Sequence, residues 1–288
     1  MKHSFIFFPA IFLLFISACS DGREPDRGSS NLPPAFDLIS FVDLDVRPSF
    51  GNANLERVSR IASSVKKAFL SENTVRRFSI NIYPIFYATG SLNPVFSFKN
   101  AESDRLSRLE RINLLQSYKI KSQYQYFSDR YMQDSLKTYK EIWRSVYRLG
   151  EAISKCTAPS ICVIYYTDFA EFRSPADPKQ SRFLFTKRLS NQSLVLDCDE
   201  VSLARSQIRD TNSIMGAAIA ECGQIIKQAK EKGQKISVKL VYCNIIKTDN
   251  CPAGRPLEDY WNEFFKALGI DDIEAVAERQ LASEISTL

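Results

Sequence analysis

The chain has 288 residues, of which 44% are hydrophobic and 25% are charged, and its formal net charge at pH 7 is +5. A charge of this size, spread along the chain, does not favour a nucleic-acid partner. The one histidine is His3, so the rest of the chain lacks an imidazole for acid–base catalysis, zinc ligation or a Ser-His-Asp triad. Any catalysis would therefore depend on carboxylates, Lys, Tyr or an oxygen-liganded metal.

The first predicted element is the apolar run from Phe5 to Ile16, which ends in Ser-Ala-Cys at Cys19. The run is too short for a membrane-spanning helix and has the layout of a secretory signal. It resembles a bacterial lipoprotein signal, which implies cleavage after residues 1–18 and lipidation of Cys19. Ser20 resembles the residue that follows this cysteine in lipoproteins sorted to an outer membrane. We therefore predict a lipid-anchored protein of the bacterial cell envelope, at the outer membrane and facing the periplasm.

Residues 19–35 are rich in Ser, Gly, Pro and charge and show no periodicity, which predicts a flexible tether. No internal repeat and no second linker of this kind follows. We therefore expect one domain over residues 36–270 and a C-terminal helical tail over residues 271–288.

Strands alternate with helices along the predicted domain. The strands begin with the continuous apolar run Leu38–Val46, and such runs are typical of strands that are buried on both faces of a parallel sheet. The further segments are strand 76–90, an antiparallel edge strand at 93–100, a long helix from Ser128 to Lys155, strand 161–169, a helix from Met215 to Ala229, strand 235–246, and a helix between Pro256 and Gly269. This alternation predicts an α/β fold of Rossmann type, with a doubly wound, mostly parallel sheet and helices on both faces.

Two of these strands end in acids, at Asp45 and at Asp168. Parallel strands place their carboxyl ends at one edge of the sheet, where doubly wound folds bind ligands. Either acid alone would only mark the point at which a strand leaves the core. Both together predict a shared ligand site.

The segments around these acids resemble the motifs of von Willebrand factor A-like domains. That family holds Mg²⁺ or Mn²⁺ at a metal-ion-dependent adhesion site, with Asp-x-Ser-x-Ser after the first strand and Ser/Thr-Asp after a central one. The resemblance implies that Asp45, Ser49 and Asp168 are metal ligands and that Arg47 and Thr167 contact a ligand. The final helix, with its Trp and aromatic pair, is also similar to that of bacterial members. The choice of residue types suits Mg²⁺, which prefers an octahedron of hard oxygen ligands.

Arg47 departs from the family motif, because it stands where a Ser is expected. A guanidinium about 4 Å from a divalent ion would be repelled by roughly 8 kcal/mol at an effective dielectric constant of about 20. If Arg47 points inward, it replaces the ion and pairs with Asp45 or Asp168. If it points outward, Asp43 can serve as an extra ligand. The resemblance therefore implies a degenerate or absent metal site.

A second resemblance concerns Asp43-Leu44-Asp45, which is similar to the first motif of haloacid-dehalogenase-like phosphatases. It implies an Mg²⁺-dependent phosphohydrolase in which Asp43 is the nucleophile and Asp45 the acid/base, helped by Thr89, a lysine and Asp168. That family usually supplies two acids in its last motif, and here only Asp168 is present. We therefore favour a protein that binds a protein partner over an enzyme.

Six cysteines follow Cys19, and an even number in an exported protein predicts disulfides. They are Cys156, Cys162, Cys198, Cys222, Cys243 and Cys251. Sequence does not choose among the fifteen pairings. We favour Cys156 with Cys162 and Cys243 with Cys251, because each pair brackets a short turn beside a strand, and this leaves Cys198 with Cys222.

The basic, tyrosine-rich stretch from Arg105 to Tyr131 allows two interpretations. Its composition is typical of a protein interface. A flap packed over the sheet would use the same residues, and we favour this second interpretation.

Overall fold

The computed structural model shows a six-stranded sheet at the centre of the part of the chain that it describes. It describes residues 36–44, 51–70, 78–85, 93–99, 117–131, 140, 142–170, 184–188, 194–242, 251 and 255–286. The predicted signal peptide, the predicted tether and Cys19, the predicted lipidation site, lie outside these residues. No helix in the described part is both long and apolar enough to span a bilayer.

The strands fall into a large sheet and a small hairpin. They are β1 (Phe36–Asp43), β2 (Phe78–Ile85), β3 (Phe96–Lys99), β4 (Ser160–Thr167), β5 (Thr186–Arg188), β6 (Leu194–Leu196), β7 (Lys235–Tyr242) and β8 (Asp272–Ala275). The large sheet has the order β3-β2-β1-β4-β7-β8, while β5 and β6 form the hairpin. Only β3 runs antiparallel in the large sheet, as predicted for an edge strand.

Helices cover both faces of the large sheet, which confirms the predicted doubly wound α/β class. They are α1 (Gly51–Leu70), α2 (Ser117–Tyr131), α3 (Ser145–Ser154), α4 (Cys198–Gln207), α5 (Ile214–Glu231), α6 (Pro256–Ala267) and α7 (Leu281–Ser286). The first core layer packs α3, α4, α5 and α6 on one face. The second core layer packs α1, α2 and α7 on the other.

The apolar run of β1 reflects burial on both sides. Ile39 and Phe41 point into the first core layer, whereas Leu38 and Val42 point into the second. All four side chains are fully buried. Successive residues of a strand face opposite sides, so a strand covered on both faces has no polar alternation.

The single long helix predicted from Ser128 to Lys155 is wrong. Helix α2 ends at Tyr131 and α3 begins at Ser145, with turns at 142–144 and Ser128 inside α2. Ile142 and Trp143 are buried although they lie outside the helix. Because their apolar character continues the periodicity of α3, the sequence pattern gives no sign that the helix starts only at Ser145.

Helix α2 packs over the sheet, in line with the favoured interpretation of the tyrosine-rich stretch. Tyr124 and Phe127 are buried in the second core layer, and Tyr126 is 66% exposed. Gln123 contacts the outer edge of β3, where its side-chain amide bonds to the backbone N–H and C=O of Ser97 at 2.9 and 3.2 Å. Helix α2 thus shields part of an exposed strand edge.

The segment 271–288, expected to be a helical tail, contributes a strand to the sheet. Strand β8 pairs in parallel with β7, and a 3₁₀ turn at Glu278–Gln280 leads into α7. Val276, Leu281 and Ile285 are buried in the second core layer. This segment therefore completes the core.

The predicted disulfide pairings are wrong, because Cys198 bonds with Cys251 across 53 residues. Cys156, Cys162 and Cys222 carry free thiols. Cys156 packs against the first core layer and Cys162 lies in the second, so the sheet separates them. Cys243, the predicted partner of Cys251, lies outside the described residues. Proximity in sequence was therefore a poor guide to proximity in space.

Candidate functional site

Two carboxylates and one ammonium group meet where β1 and β4 end. Lys140 Nζ donates a hydrogen bond to Asp43 Oδ2 at 3.0 Å and another to Asp168 Oδ1. The side chains of Lys140, Asp43 and Asp168 are 12%, 15% and 23% exposed. The strand order reverses between β1 and β4, and ligands of doubly wound sheets bind at this switch point.

Neighbouring groups fix both acids. Thr167 Oγ1 lies 3.4 Å from Asp43 Oδ2 and can donate to it, while Arg57 Nη1 donates to the backbone carbonyl of Asp43 at 2.7 Å. The backbone N–H of Ala170 donates to Asp168 Oδ1 at 3.0 Å, which closes a turn directly after β4. The acids are therefore held in place before any partner arrives.

The environment alters the ionisation of Lys140 and Asp43. Burial would lower the pKa of Lys140, but the charges of Asp43 and Asp168 and the hydrogen bonds to both outweigh it and raise that pKa. Burial raises the pKa of Asp43, and the charge of Asp168 adds to this, while Lys140 acts in the opposite direction. Lys140 is accordingly a permanent cation at neutral pH.

This arrangement does not fit a divalent metal ion. The ammonium of Lys140 stands where the two carboxylates converge, and a divalent ion about 4 Å away would be repelled by roughly 8 kcal/mol at an effective dielectric constant of about 20. Among the described residues, no group of three or more His, Cys, Asp and Glu side chains is placed to hold a metal. The cation at this site is supplied by the chain itself.

Two of the predicted site residues lie together in the described part of the chain. Thr167 and Asp168 lie beside Asp43, which the sequence had suggested as an extra ligand or a nucleophile. Asp45, Arg47, Ser49 and Thr89 lie outside the described residues, so their roles stay predictions. Lys140 was missed, because its segment was read as the middle of a long helix.

Comparison with known proteins leaves the function open. No protein-family model matches the sequence, and no curated protein sequence is significantly similar to it. Solved structures that are similar include the von Willebrand factor domain of the type V pili tip protein Mfa5 from Porphyromonas gingivalis, at 9% identity and a TM-score of 0.38, covering 88% of this chain and 93% of that chain. A von Willebrand factor type A structure from Catenulispora acidiphila has 10% identity and a TM-score of 0.34, covering 88% and 41%.

The human COPII-coat protein Sec24c is similar at 10% identity and a TM-score of 0.40, covering 88% of this chain. This chain spans only 32% of the length of the Sec24c chain. Scores and identities this low carry no argument about activity or partners. The class of fold rests on the sheet order and helix layers described above.

Proposed function

We propose that this protein is a binding module of the cell envelope, lipid-anchored through Cys19, that recognises a protein partner at the crevice between the ends of β1 and β4. The main support for this proposal is the Asp43–Lys140–Asp168 cluster, which is partly exposed at the switch point of the sheet. The three charged groups are paired with one another, so a partner would meet a preformed polar surface.

We place the chain with the von Willebrand A-like domains, with the metal site replaced by Lys140. The proposal is supported by Thr167 and Asp168 at the end of a central strand and by the antiparallel edge strand β3. An ammonium in place of a divalent ion makes recognition independent of metal. Charge pairs at the rim of such a site contribute more to specificity and to the association rate than to affinity.

The crevice is tested by capture of partners from a solubilised envelope extract on the immobilised protein. Capture is expected to persist in EDTA and to be lost in Asp168→Asn, because that change removes one charge of the cluster. Glu263→Gln is the matched control, since its side chain is also 23% exposed but pairs with Arg205 on α4. Equal capture by Asp168→Asn would exclude the crevice, and loss of capture in EDTA would exclude metal-independent binding.

A phosphohydrolase remains the second candidate, because Lys140 contacts Asp43 as the phosphatase resemblance requires of its lysine. Against it, the resemblance calls for two acids in the last motif, where only Asp168 is present, and Lys140 binds that acid as well. We expect no hydrolysis of p-nitrophenyl phosphate with Mg²⁺ above background. Sustained turnover that Asp43→Asn abolishes would establish the enzyme instead of the binding module.

A further inference from the structure

The residue that follows Asp168 has an unusual backbone conformation. Phe169 has a φ of 62°, and it is the one non-glycine residue with positive φ in the described part of the chain. A bulky residue rarely adopts this left-handed region, where its Cβ crowds the backbone. Such a conformation persists only where the surrounding structure enforces it, and it is common at functional sites.

The enforcing contacts come mainly from α6. Trp261 Nε1 donates a hydrogen bond of 2.9 Å to the backbone carbonyl of Phe169. Both side chains are fully buried, and their ring centroids are 5.9 Å apart in an edge-on arrangement. On the other side, the Phe169 ring contacts the Tyr242 ring at 4.3 Å. The Trp261 hydrogen bond thus fixes the orientation of the peptide group between Phe169 and Ala170.

The turn at Phe169 sets the direction of Asp168. The N–H of Phe169 lies 3.4 Å from Thr167 Oγ1, and the N–H of Ala170 bonds to Asp168 Oδ1 at 3.0 Å. The same Asp168 oxygen accepts the hydrogen bond of Lys140. Rotation of the peptide group after Phe169 would break the hydrogen bond from the Ala170 N–H to Asp168. The Asp168 carboxylate would then no longer be held in the orientation in which it accepts from Lys140.

We propose that Trp261 is a positioning residue for the crevice: through the strained turn at Phe169 it holds Asp168 against Lys140. The role in partner binding rests on the proposed function, whereas the positioning of Asp168 does not. The position of α6 and the geometry of the crevice are consequently coupled. A partner that binds the ordered crevice stabilises the Trp261 contact to the same extent.

The test is the rate at which Lys140 is acetylated by an N-hydroxysuccinimide ester, measured for each lysine by mass spectrometry. Trp261→Phe keeps an aromatic ring and removes the N–H donor. Leaving one buried carbonyl without its donor costs about 1–3 kcal/mol. A cost of about 1.4 kcal/mol corresponds to a tenfold change, so we expect Lys140 to react about tenfold faster. Lys239 is the internal standard, with a side chain 10% exposed and paired with Glu274 and Glu284. It faces the opposite side of the sheet from α6, and its rate should not change.

Tyr260→Phe is the matched variant, because Tyr260 is an equally buried neighbour on α6 whose hydroxyl contacts Met215 Sδ at 3.5 Å. It should leave the Lys140 rate unchanged. If Trp261→Phe does not fold, 3-benzothienylalanine at position 261 decides, since it keeps the ring shape and lacks the donor. An unchanged Lys140 rate, or equal acceleration at Lys140 and Lys239, would overturn the proposal. Neither result depends on a partner, so failure of the capture experiment is a separate outcome.

Discussion

Replacing Lys140 with methionine is expected to lower the free energy of unfolding by about 3–5 kcal/mol, the usual cost of removing one partner from a buried ion pair. Methionine retains most of the apolar stem of lysine, so the lost free energy of unfolding reflects removal of the charge and not of side-chain packing. Without the ammonium, Asp43 and Asp168 face each other with no cation between them. Urea denaturation at pH 7, followed by circular dichroism, measures the difference.

Lys155→Met is the matched control, because Lys155 pairs with Glu151 on an exposed helix face, where the side chains are 70% and 44% exposed. Exposed pairs contribute about 0–1 kcal/mol. Should Lys140→Met cost no more than Lys155→Met, the cluster would not be an integral part of the fold.

The pH dependence of this difference follows from the raised pKa of Lys140. A lysine with a raised pKa in the folded state stabilises fully below its ordinary value of 10.5, and the contribution is lost as the pH rises through the folded value. The stability difference between the wild type and Lys140→Met should therefore be constant near neutral pH and narrow above pH 10.5.

Lys140→Ala extends the same argument to metal. Truncation to alanine removes the ammonium from the space between the two carboxylates. A ligand that binds only the folded state stabilises it by about 2.7 kcal/mol when its free concentration is about 100 times its Kd. Millimolar Mg²⁺ or Mn²⁺ should raise the melting temperature of Lys140→Ala and leave the wild type unchanged. A rise in the wild type that Asp168→Ala abolishes would contradict the assignment of Lys140 as the resident cation.

The second large effect concerns two glycines of the same helix, α5. Gly216→Ala is expected to destabilise the fold by about 3 kcal/mol, the upper part of the range of about 1–3 kcal/mol that overpacking typically costs. A Cβ at this position would lie 2.9 Å from the Gln207 carbonyl oxygen and closer still to the backbone of Asp210. The Gly216 N–H also bonds to the capping Ser213 Oγ at 2.9 Å, which leaves the helix start little freedom to move.

Gly223→Ala is the control, and its effect should have the opposite sign. A Cβ there meets nothing closer than the Leu268 carbonyl oxygen at 3.6 Å, an ordinary van der Waals distance. Alanine in a helix interior is then favoured over glycine by about 0.5–1 kcal/mol. Equal effects of the two substitutions in thermal denaturation would rule out the close approach at Gly216.

The fold was largely predictable because its main elements are decided locally. The continuous apolar β1 requires cover on both faces, and α6 begins at Pro256 and ends before Gly269, whose φ of 82° suits glycine. The site was only half predictable. Asp168 follows its strand directly, so the topology places it at the edge of the sheet. Lys140 lies between α2 and α3, where the buried residues Ile142 and Trp143 make the sequence look like one continuous helix.

The disulfide was not predictable for a related reason. Cys198 begins α4 and Cys251 precedes α6, and these two helices pack together within the first core layer. Their contact joins elements separated by a further helix and a central strand. Pairing by short sequence distance favours local turns and misses such a connection.

This covalent link has a mechanical consequence for a protein held at one end. Under tension applied between the two ends of the chain, force passes directly from Cys198 to Cys251 and bypasses the rest of α4, all of α5 and β7. The chain between the two cysteines, whose sequence separation is 53, cannot extend under this tension, which prevents about 180 Å of extension. If one end of the chain were held while the other was pulled, this segment would remain short until the disulfide is reduced.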